Sequence, residues 1–326
     1  MKLIIQIPCF NEEQTLPRTL ADLPQAIDGI DAIETLIIDD GSTDRTFEIA
    51  EQYGVDHIVR LPRNRGLAHA FSAGLEACLD RGADIIVNTD GDHQYQGAGI
   101  PLLVAPILDG RADMVVGDRR VDTIRHFSPV KKFLQKRGSA VVRWISDTSV
   151  IDTTSGFRAF SREAAQRLMI FSNYTYTLET IIQAGKKGLT VESVPVVTNE
   201  LTRESRLIRS TSSYVLRSAA TIMRIFLMYE PLRVFSYLSL LPLLAGLALF
   251  TRYAYFFAIG EGGGHVQSFI VASVLLLLAF QVFLLGLLAE LIGRNRRILE
   301  ETLYRQGQHR QNGGEHQVPS RPPEVR

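Results

Sequence analysis

Two aspartates separated by one residue carry the most informative chemistry in this chain of 326 residues. Asp90, Gly91 and Asp92 stand at the end of a predicted strand, with Gln94 close behind. Carboxylate and amide oxygens are hard ligands that suit Mg²⁺ or Mn²⁺ bridging to a diphosphate. Gly91 lets the backbone approach a ligand closely. An Asp-x-Asp pair alone is a common turn feature, so its neighbours decide its meaning.

Further polar turns follow two other predicted strands. Pro8, Phe10 and Glu12 come at and after the end of the first strand, and Asp39 comes after the second. Because the carboxyl ends of parallel strands meet at one edge of a sheet, we expect these side chains to lie together. An aromatic ring stacks on a nucleobase, and carboxylates accept hydrogen bonds from a base N–H or from ribose hydroxyls. Each feature taken separately is equally compatible with a helix cap or a turn.

The elements that must position these residues form an α/β pattern. Short β-branched runs alternate with helix-like segments from residue 3 to about residue 197, which predicts a mainly parallel sheet. The predicted strands are residues 3–7, 35–38, 85–88, 114–116 and 191–197. Residues 12–23, with Asn11 as N-cap, and residues 67–79 are predicted helices. We assign residues 1–207 to this domain.

Two long apolar runs predict a membrane hairpin: residues 234–259 carry no charge except Arg252, and residues 266–289 carry none. Residues 232–260 and 265–293 each reach the roughly 20 apolar residues that a transmembrane helix needs. Arginines flank both outer ends, so the positive-inside rule puts both termini and the α/β domain on the cytoplasmic side of an inner membrane. These arginines are Arg224, Arg233, Arg294, Arg296 and Arg297. Two buried helices of a soluble protein are the less favoured alternative, given both lengths and the flanking charges.

The remaining segments and the composition complete the expected organisation. Residues 208–231 predict an amphipathic helix on the membrane surface, although a helix packed on the sheet domain fits the pattern equally well. Residues 294–326 predict a cytoplasmic tail with an irregular end. A net charge of zero, from 35 basic and 35 acidic residues, gives no sign of nucleic-acid binding. A homo-oligomer is compatible with the sequence.

Six segments in this order strongly resemble glycosyltransferase family 2, whose Rossmann-like fold is termed GT-A. They are residues 8–13, 39–44, 64–66, 87–94, 116–119 and 152–158. With the hairpin included, the chain resembles the polyprenyl-phosphate branch, which comprises dolichol-phosphate mannosyltransferases and bactoprenol glucosyltransferases. The resemblance implies donor binding by Pro8, Phe10, Glu12, Asp39, Asp90 and Gly91. It also implies a metal held by Asp92 and Gln94, and an orienting role in catalysis for Asp152.

A lipid phosphate acceptor needs cations, and the sequence offers several. The candidates are Arg119, Lys132, Arg203, Ser205 and Arg206, and solvated surface charge is the alternative for each. The resemblance adds Glu179 near the acceptor, where an exposed helix residue is equally compatible. Residues 202–206 lack a glycine that dolichol-phosphate enzymes carry in this loop. That departure favours a uridine diphosphate sugar, with glucose preferred, over a guanine donor with mannose.

The expected reaction is an inverting transfer at the cytoplasmic face of the membrane. A polyprenyl phosphate oxygen attacks the anomeric carbon, and the nucleoside diphosphate leaves with its charge neutralised by the metal. A processive polysaccharide synthase is an alternative, but the single tryptophan, Trp144, lacks the sequence context of such enzymes. A non-catalytic membrane scaffold is a second alternative. Such a protein could lose its metal ligands, whereas this chain keeps both Asp92 and Gln94.

Overall fold

A computed structural model of the chain describes residues 1–120, 129–170, 176–199, 220, 223–224 and 226–314. The chain divides into two compact units, Met1–Ile222 and Met223–Arg326. Each unit is described by itself below.

The described residues of the first unit build a seven-stranded sheet of order β3-β2-β1-β4-β6-β5-β7. The strands are β1 Lys2–Cys9, β2 Ala32–Asp39, β3 His57–Arg60, β4 Ile85–Asn88, β5 Met114–Asp118, β6 Arg158–Ser161 and β7 Val191–Pro195. All neighbouring pairs are parallel except those made by β6, which runs antiparallel to β4 and β5. The predicted mainly parallel α/β sheet is confirmed.

Seven helices of the described chain accompany this sheet. They are α1 Leu16–Ala21, α2 Thr46–Gln52, α3 Leu67–Asp80, α4 Ile100–Leu108, α5 Pro129–Ser146, α6 Arg162–Arg167 and α7 Thr177–Lys186. Strand β1 is buried along Leu3–Cys9, as expected for a central parallel strand covered on both faces. Aliphatic side chains from β1, β4 and α4 pack into the core beneath the functional edge of the sheet.

The predicted helix over residues 12–23 is wrong at its start. Helix α1 begins only at Leu16, and no side chain caps its N-terminus. Asn11 instead adopts a left-handed backbone conformation with φ 55°, and its Oδ1 accepts a hydrogen bond from the Thr43 N–H at 2.8 Å. Asn tolerates this conformation better than most residues. Asn11 therefore ties the turn after β1 to the turn after β2.

The second unit contains two long apolar helices, α8 Pro231–Ala258 and α9 Val266–Gly314, joined through a short 3₁₀ turn at Gly262–His265. Only 11% and 17% of their most apolar stretches are buried, whereas a core helix of a soluble protein is mostly buried. A Cβ on Gly286 would lie 2.7 Å from Phe235 Cβ, so glycine permits the two helices to pack closely. Helix α9 continues to Gly314, well into the predicted tail of residues 294–326.

Candidate functional site

The register of the parallel strands brings three functional side chains into one row. Cys9 at the end of β1 pairs with Asp39 at the end of β2, and Asp39 pairs with Arg60 at the end of β3. On the other side of β1, Gln6 pairs with Asn88, the last residue of β4. The turns that follow these strands therefore share one edge of the sheet, where open α/β folds bind ligands.

The adjacent residues Asp39 and Asp40 differ in their hydrogen-bond partners. Both oxygens of Asp40 accept backbone hydrogen bonds at 2.8 Å, from Arg65 and Gly66, and so hold the loop that precedes α3. Asp39 is fully buried, and its Oδ1 accepts from the Ser42 N–H at 2.8 Å. Its Oδ2 lies 3.3 Å from Arg60 Nε, yet within the described residues it has no partner of hydrogen-bond geometry. Asp39 therefore retains an acceptor for a ligand.

An acidic cluster surrounds the turn after β1. Glu12 is 8% exposed and accepts a hydrogen bond from Thr15 Oγ1 at 2.8 Å. A Cβ on Gly91 would lie 2.9 Å from Cys9 Sγ and 3.4 Å from Glu12 Cγ, so only glycine lets the second turn approach the first. Burial raises the pKa of Cys9, and the charges of Glu12, Asp39 and Asp90 raise it further. The thiol stays protonated, and the carboxylates around it make the site strongly negative.

Asp90 and Asp92 repel one another across this turn. Removal from water raises the pKa of Asp90 to about 7, with the charge of Asp92 as the second cause. The charge of Arg119 acts in the opposite direction. Both aspartates are half-buried, so water screens their repulsion only in part. A cation held between them would relieve it.

These residues fit a divalent cation that is shared with a phosphate ligand. Asp92 Oδ1 accepts the Gln94 backbone N–H at 3.1 Å, which draws the two side chains of the predicted metal pair onto one short turn. In the described part of the chain, no three His, Cys, Asp or Glu side chains gather as a complete metal site. Mg²⁺ commonly takes one or two carboxylates and fills its other positions with phosphate oxygens and water. The side chains of Asp92 and Gln94 match this type of partial protein coordination.

Arg119 and Asp152 form a buried ion pair. Arg119 Nε and Nη2 donate to the two Asp152 oxygens at 2.6 and 3.0 Å, and Nη2 also donates to Thr154 Oγ1 at 2.8 Å. Their side chains are 10% and 0% exposed. Burial raises the pKa of Asp152, but the charge and hydrogen bonds of Arg119 outweigh burial and hold it below its ordinary value. Asp152 is therefore a poor proton acceptor and orients Arg119.

A second pair of residues, absent from the predicted site, fixes the loop before β6. Asn88 Nδ2 donates to Gly156 O at 2.9 Å and to the Tyr176 hydroxyl at 3.0 Å. A Cβ on Gly156 would lie 2.9 Å from Asp90 Oδ2, so glycine allows this loop to touch the aspartate. Tyr176 stacks on Phe71 with ring centroids 3.8 Å apart. Because these residues are dispersed along the sequence, no local pattern indicates them.

Arg158, the first residue of β6, also fixes the loop before β6 through hydrogen bonds to its backbone. Its guanidinium is fully buried and donates to the carbonyls of Ser155, Thr177 and Thr153 at 2.7, 2.7 and 3.0 Å. Burial lowers its pKa to about 10, and the charge of Asp152 opposes that shift. The arginine stands in a segment that the sequence already singled out, and its burial among carbonyls is the feature that the sequence does not indicate.

The structure thus gathers one part of the predicted site and leaves another part undescribed. Around the carboxyl edge of β1, β2 and β4 lie Pro8, Phe10, Glu12, Asp39, Asp90, Gly91, Asp92 and Gln94. Glu179 lies on α7 and is 1% exposed, so it is not an exposed helix residue. Lys132 belongs to α5, with its side chain outside the described part. Arg203, Ser205 and Arg206 lie outside the described residues.

Comparison with known proteins identifies both units. The Glycosyl transferase family 2 profile matches residues 4–169, and the GtrB C-terminal hairpin profile matches residues 230–294. An undecaprenyl-phosphate mannosyltransferase of Micrococcus luteus is 27% identical over 206 residues, which cover 60% of this chain and 83% of the relative. A dolichyl-phosphate hexose transferase of Haloferax volcanii is 29% identical over 205 residues, covering 63% and 86%.

A solved structure shares the fold of the first unit. The glucosyl-3-phosphoglycerate synthase of Mycobacterium tuberculosis, in complex with Mn²⁺, uridine diphosphate glucose and phosphoglyceric acid, superposes with a TM-score of 0.55. The match covers 68% of this chain and 79% of that chain at 22% sequence identity. The carboxylate-rich edge, the family profile over half of the chain and the two named relatives agree: the chain is a glycosyltransferase that belongs to glycosyl transferase family 2.

Proposed function

We propose that this protein transfers one sugar from a uridine diphosphate donor, with glucose preferred, to a polyprenyl phosphate at the cytoplasmic face of a membrane. The observation that carries the proposal is the cluster of Asp39, Asp90 and Asp92 at one sheet edge, in a chain that also has two apolar helices fit for a membrane. The relatives named as undecaprenyl-phosphate and dolichyl-phosphate transferases support the acceptor class. Inversion follows because a single displacement joins donor and acceptor.

The donor half of the reaction rests on the acidic edge. Asp39 offers Oδ2 to a base N–H or a ribose hydroxyl, and Phe10, directly after β1, offers a ring for base stacking. Gly91 lets the backbone of the turn approach the ribose and the diphosphate, and the neighbouring Asp90 accepts hydrogen bonds there. Asp92 and Gln94 would hold Mg²⁺ or Mn²⁺. When bound, such a cation neutralises the charge that builds on the leaving diphosphate, so no protein acid is required.

The acceptor half rests on positive charge at the same carboxyl edge, where Arg119 directly follows β5. Arg119 is held by Asp152, and a guanidinium fixed by a buried carboxylate keeps its remaining donors pointing in one direction. A phosphate monoester is already ionised near neutrality, so the attacking oxygen needs no strong base. The low pKa of Asp152 suits a positioning role and not proton removal. Lys132, Arg203, Ser205 and Arg206 complete the proposed phosphate-binding set.

The donor assignment is supported by three separate features. The loop at residues 202–206 lacks the glycine that resembling mannose enzymes carry, and the hairpin matches a profile named after GtrB. The M. tuberculosis enzyme of the same fold was crystallised with uridine diphosphate glucose and Mn²⁺. Two relatives are named for mannose or hexose transfer, so the donor must be measured directly.

Membranes that contain the protein test the proposal when they are incubated with a polyprenyl phosphate and a panel of radiolabelled nucleotide sugars. We expect label in the organic extract, with uridine diphosphate glucose as the best donor. EDTA should remove the signal, and excess Mn²⁺ should restore it, because Asp92 and Gln94 need the cation to engage the diphosphate. Polymer without labelled lipid would refute the acceptor class, and a better signal from guanosine diphosphate mannose would refute the donor.

A further inference from the structure

The turn that carries Asp92 and Gln94 contains a residue in a costly backbone conformation. His93 has φ 58°, in the left-handed region that residues other than glycine adopt uncommonly and at a steric cost. Such a conformation persists only when the surrounding contacts hold it. The residue between the two proposed cation ligands therefore depends on something that fixes its peptide group.

Asn199 supplies that contact. Its Nδ2 donates to His93 O at 3.0 Å, and its Oδ1 accepts from Gln96 Nε2 at 3.0 Å. Its backbone N–H donates to Gln94 O at 2.9 Å. The orientation of the amide is fixed because a carbonyl oxygen only accepts, so the NH₂ group must face His93 O. One asparagine thus bonds three residues of a four-residue turn.

The surrounding backbone contacts separate the role of this side chain from the general fold of the loop. Tyr95 and Thr198 form an isolated antiparallel bridge, and the Asn199 backbone bond to Gln94 belongs to the same connection. Both survive when only the side chain is removed. The Gln94 N–H, in turn, donates to Asp92 Oδ1 at 3.1 Å. The carbonyl of His93 is the one part of residues 92–94 that the Asn199 side chain itself holds.

We propose that Asn199 is a positioning residue for the divalent-cation site. By holding the His93 peptide, it keeps Asp92 and Gln94 in the one turn conformation in which they act together as ligands. This inference rests on the proposed function of those two residues. Partners that orient metal ligands typically change metal affinity by about 10- to 100-fold when they are removed.

Electron paramagnetic resonance of Mn²⁺ bound to the full chain in detergent, with uridine diphosphate present, measures this role without any transfer reaction. We expect Asn199→Ala to weaken Mn²⁺ binding about tenfold. Gln96→Ala is the matched control, because it removes one hydrogen bond of Asn199 and leaves His93 O bonded. Its Mn²⁺ affinity should stay within about twofold of the parent chain.

A rescue separates positioning from a general loss of structure. Asparagine tolerates the left-handed region, so His93→Asn in the Asn199→Ala background should restore at least half of the lost affinity on a logarithmic scale. Unchanged Mn²⁺ binding in Asn199→Ala, an equal loss in Gln96→Ala, or no rescue by His93→Asn would overturn the role of Asn199. A parent chain that binds no Mn²⁺ with a nucleoside diphosphate would overturn the proposed metal site as well, which distinguishes the two failures.

Discussion

Replacing Asp92 with asparagine is expected to lower the rate of sugar transfer by about a thousandfold, which corresponds to about 4 kcal/mol of transition-state stabilisation. The substitution keeps the shape of the side chain and removes its charge. Asp92 is half-buried beside Asp90, and its Oδ1 already anchors the Gln94 backbone. Asparagine preserves that acceptor, so the turn should keep its conformation while the cation loses a charged ligand.

The initial rate of label transfer into lipid, measured at saturating donor, is the readout. Asp109→Asn is a matched control, because Asp109 is 58% exposed and pairs only with Arg111 at the surface among the described contacts. Its rate should stay within about twofold of the parent chain. Both variants should reach the membrane in equal amounts. A near-normal rate in Asp92→Asn would remove this residue as a metal ligand.

Replacing Arg119 with alanine is expected to destabilise the first unit by about 3–5 kcal/mol, because it leaves a buried carboxylate without its partner. The Asp152 side chain is fully buried, and its two short bonds to Arg119 offset the cost of burial. Replacing both residues, as Arg119→Ala with Asp152→Asn, removes the charge together with its partner. The double variant should therefore recover part of the stability that the single variant loses.

The stability lost in Arg119→Ala should depend on pH and should be larger at neutral than at acidic pH. In the parent chain the pKa of Asp152 lies below its ordinary value, so the pair stabilises the fold at neutral pH and loses this effect only as the pH falls through that low pKa. Without Arg119, burial raises the pKa of Asp152, and protonation then favours the folded state. The deficit of Arg119→Ala should thus be largest near about pH 7 and smaller near about pH 5.

Thermal unfolding in detergent at the two pH values measures both effects. Arg111→Ala serves as control, because Arg111 pairs with Asp109 and Glu192 at the surface and should shift the midpoint little. A deficit of Arg119→Ala that does not change with pH would contradict the assigned charge state of Asp152. A double variant that is less stable than either single variant would contradict a specific pair.

The sequence predicts the sheet well where strands are buried and aliphatic, and poorly where they are short and polar. Strand β4 was predicted with its observed bounds, since all four of its residues are buried. Strands β3 and β6 were missed, because each has four residues and contains arginine. The antiparallel course of β6 has large consequences, since it brings the loop at residues 152–157 to the carboxyl edge of β4 and β5.

That strand explains which parts of the site the sequence could predict. Asp39, Asp90 and Asp92 follow parallel strands, so their proximity follows from the topology alone. The pairing of Arg119 with Asp152, 33 residues apart, needs β6 beside β5 and was not predicted. The different tasks of Asp39 and Asp40 depend on which carboxylate meets the backbone of residues 65 and 66, and adjacent identical residues give no sign of that.

The central claim is that a nucleotide sugar bound at the acidic edge of the sheet transfers its sugar to the phosphate of a membrane lipid. Its most direct test incubates the purified protein with a labelled uridine diphosphate sugar, Mn²⁺, and either a polyprenyl phosphate or the same polyprenol without phosphate. We predict one labelled lipid for each nucleoside diphosphate released, and no labelled lipid with the polyprenol. Nucleoside diphosphate release without labelled lipid, or equal labelling of the polyprenol, would contradict the claim.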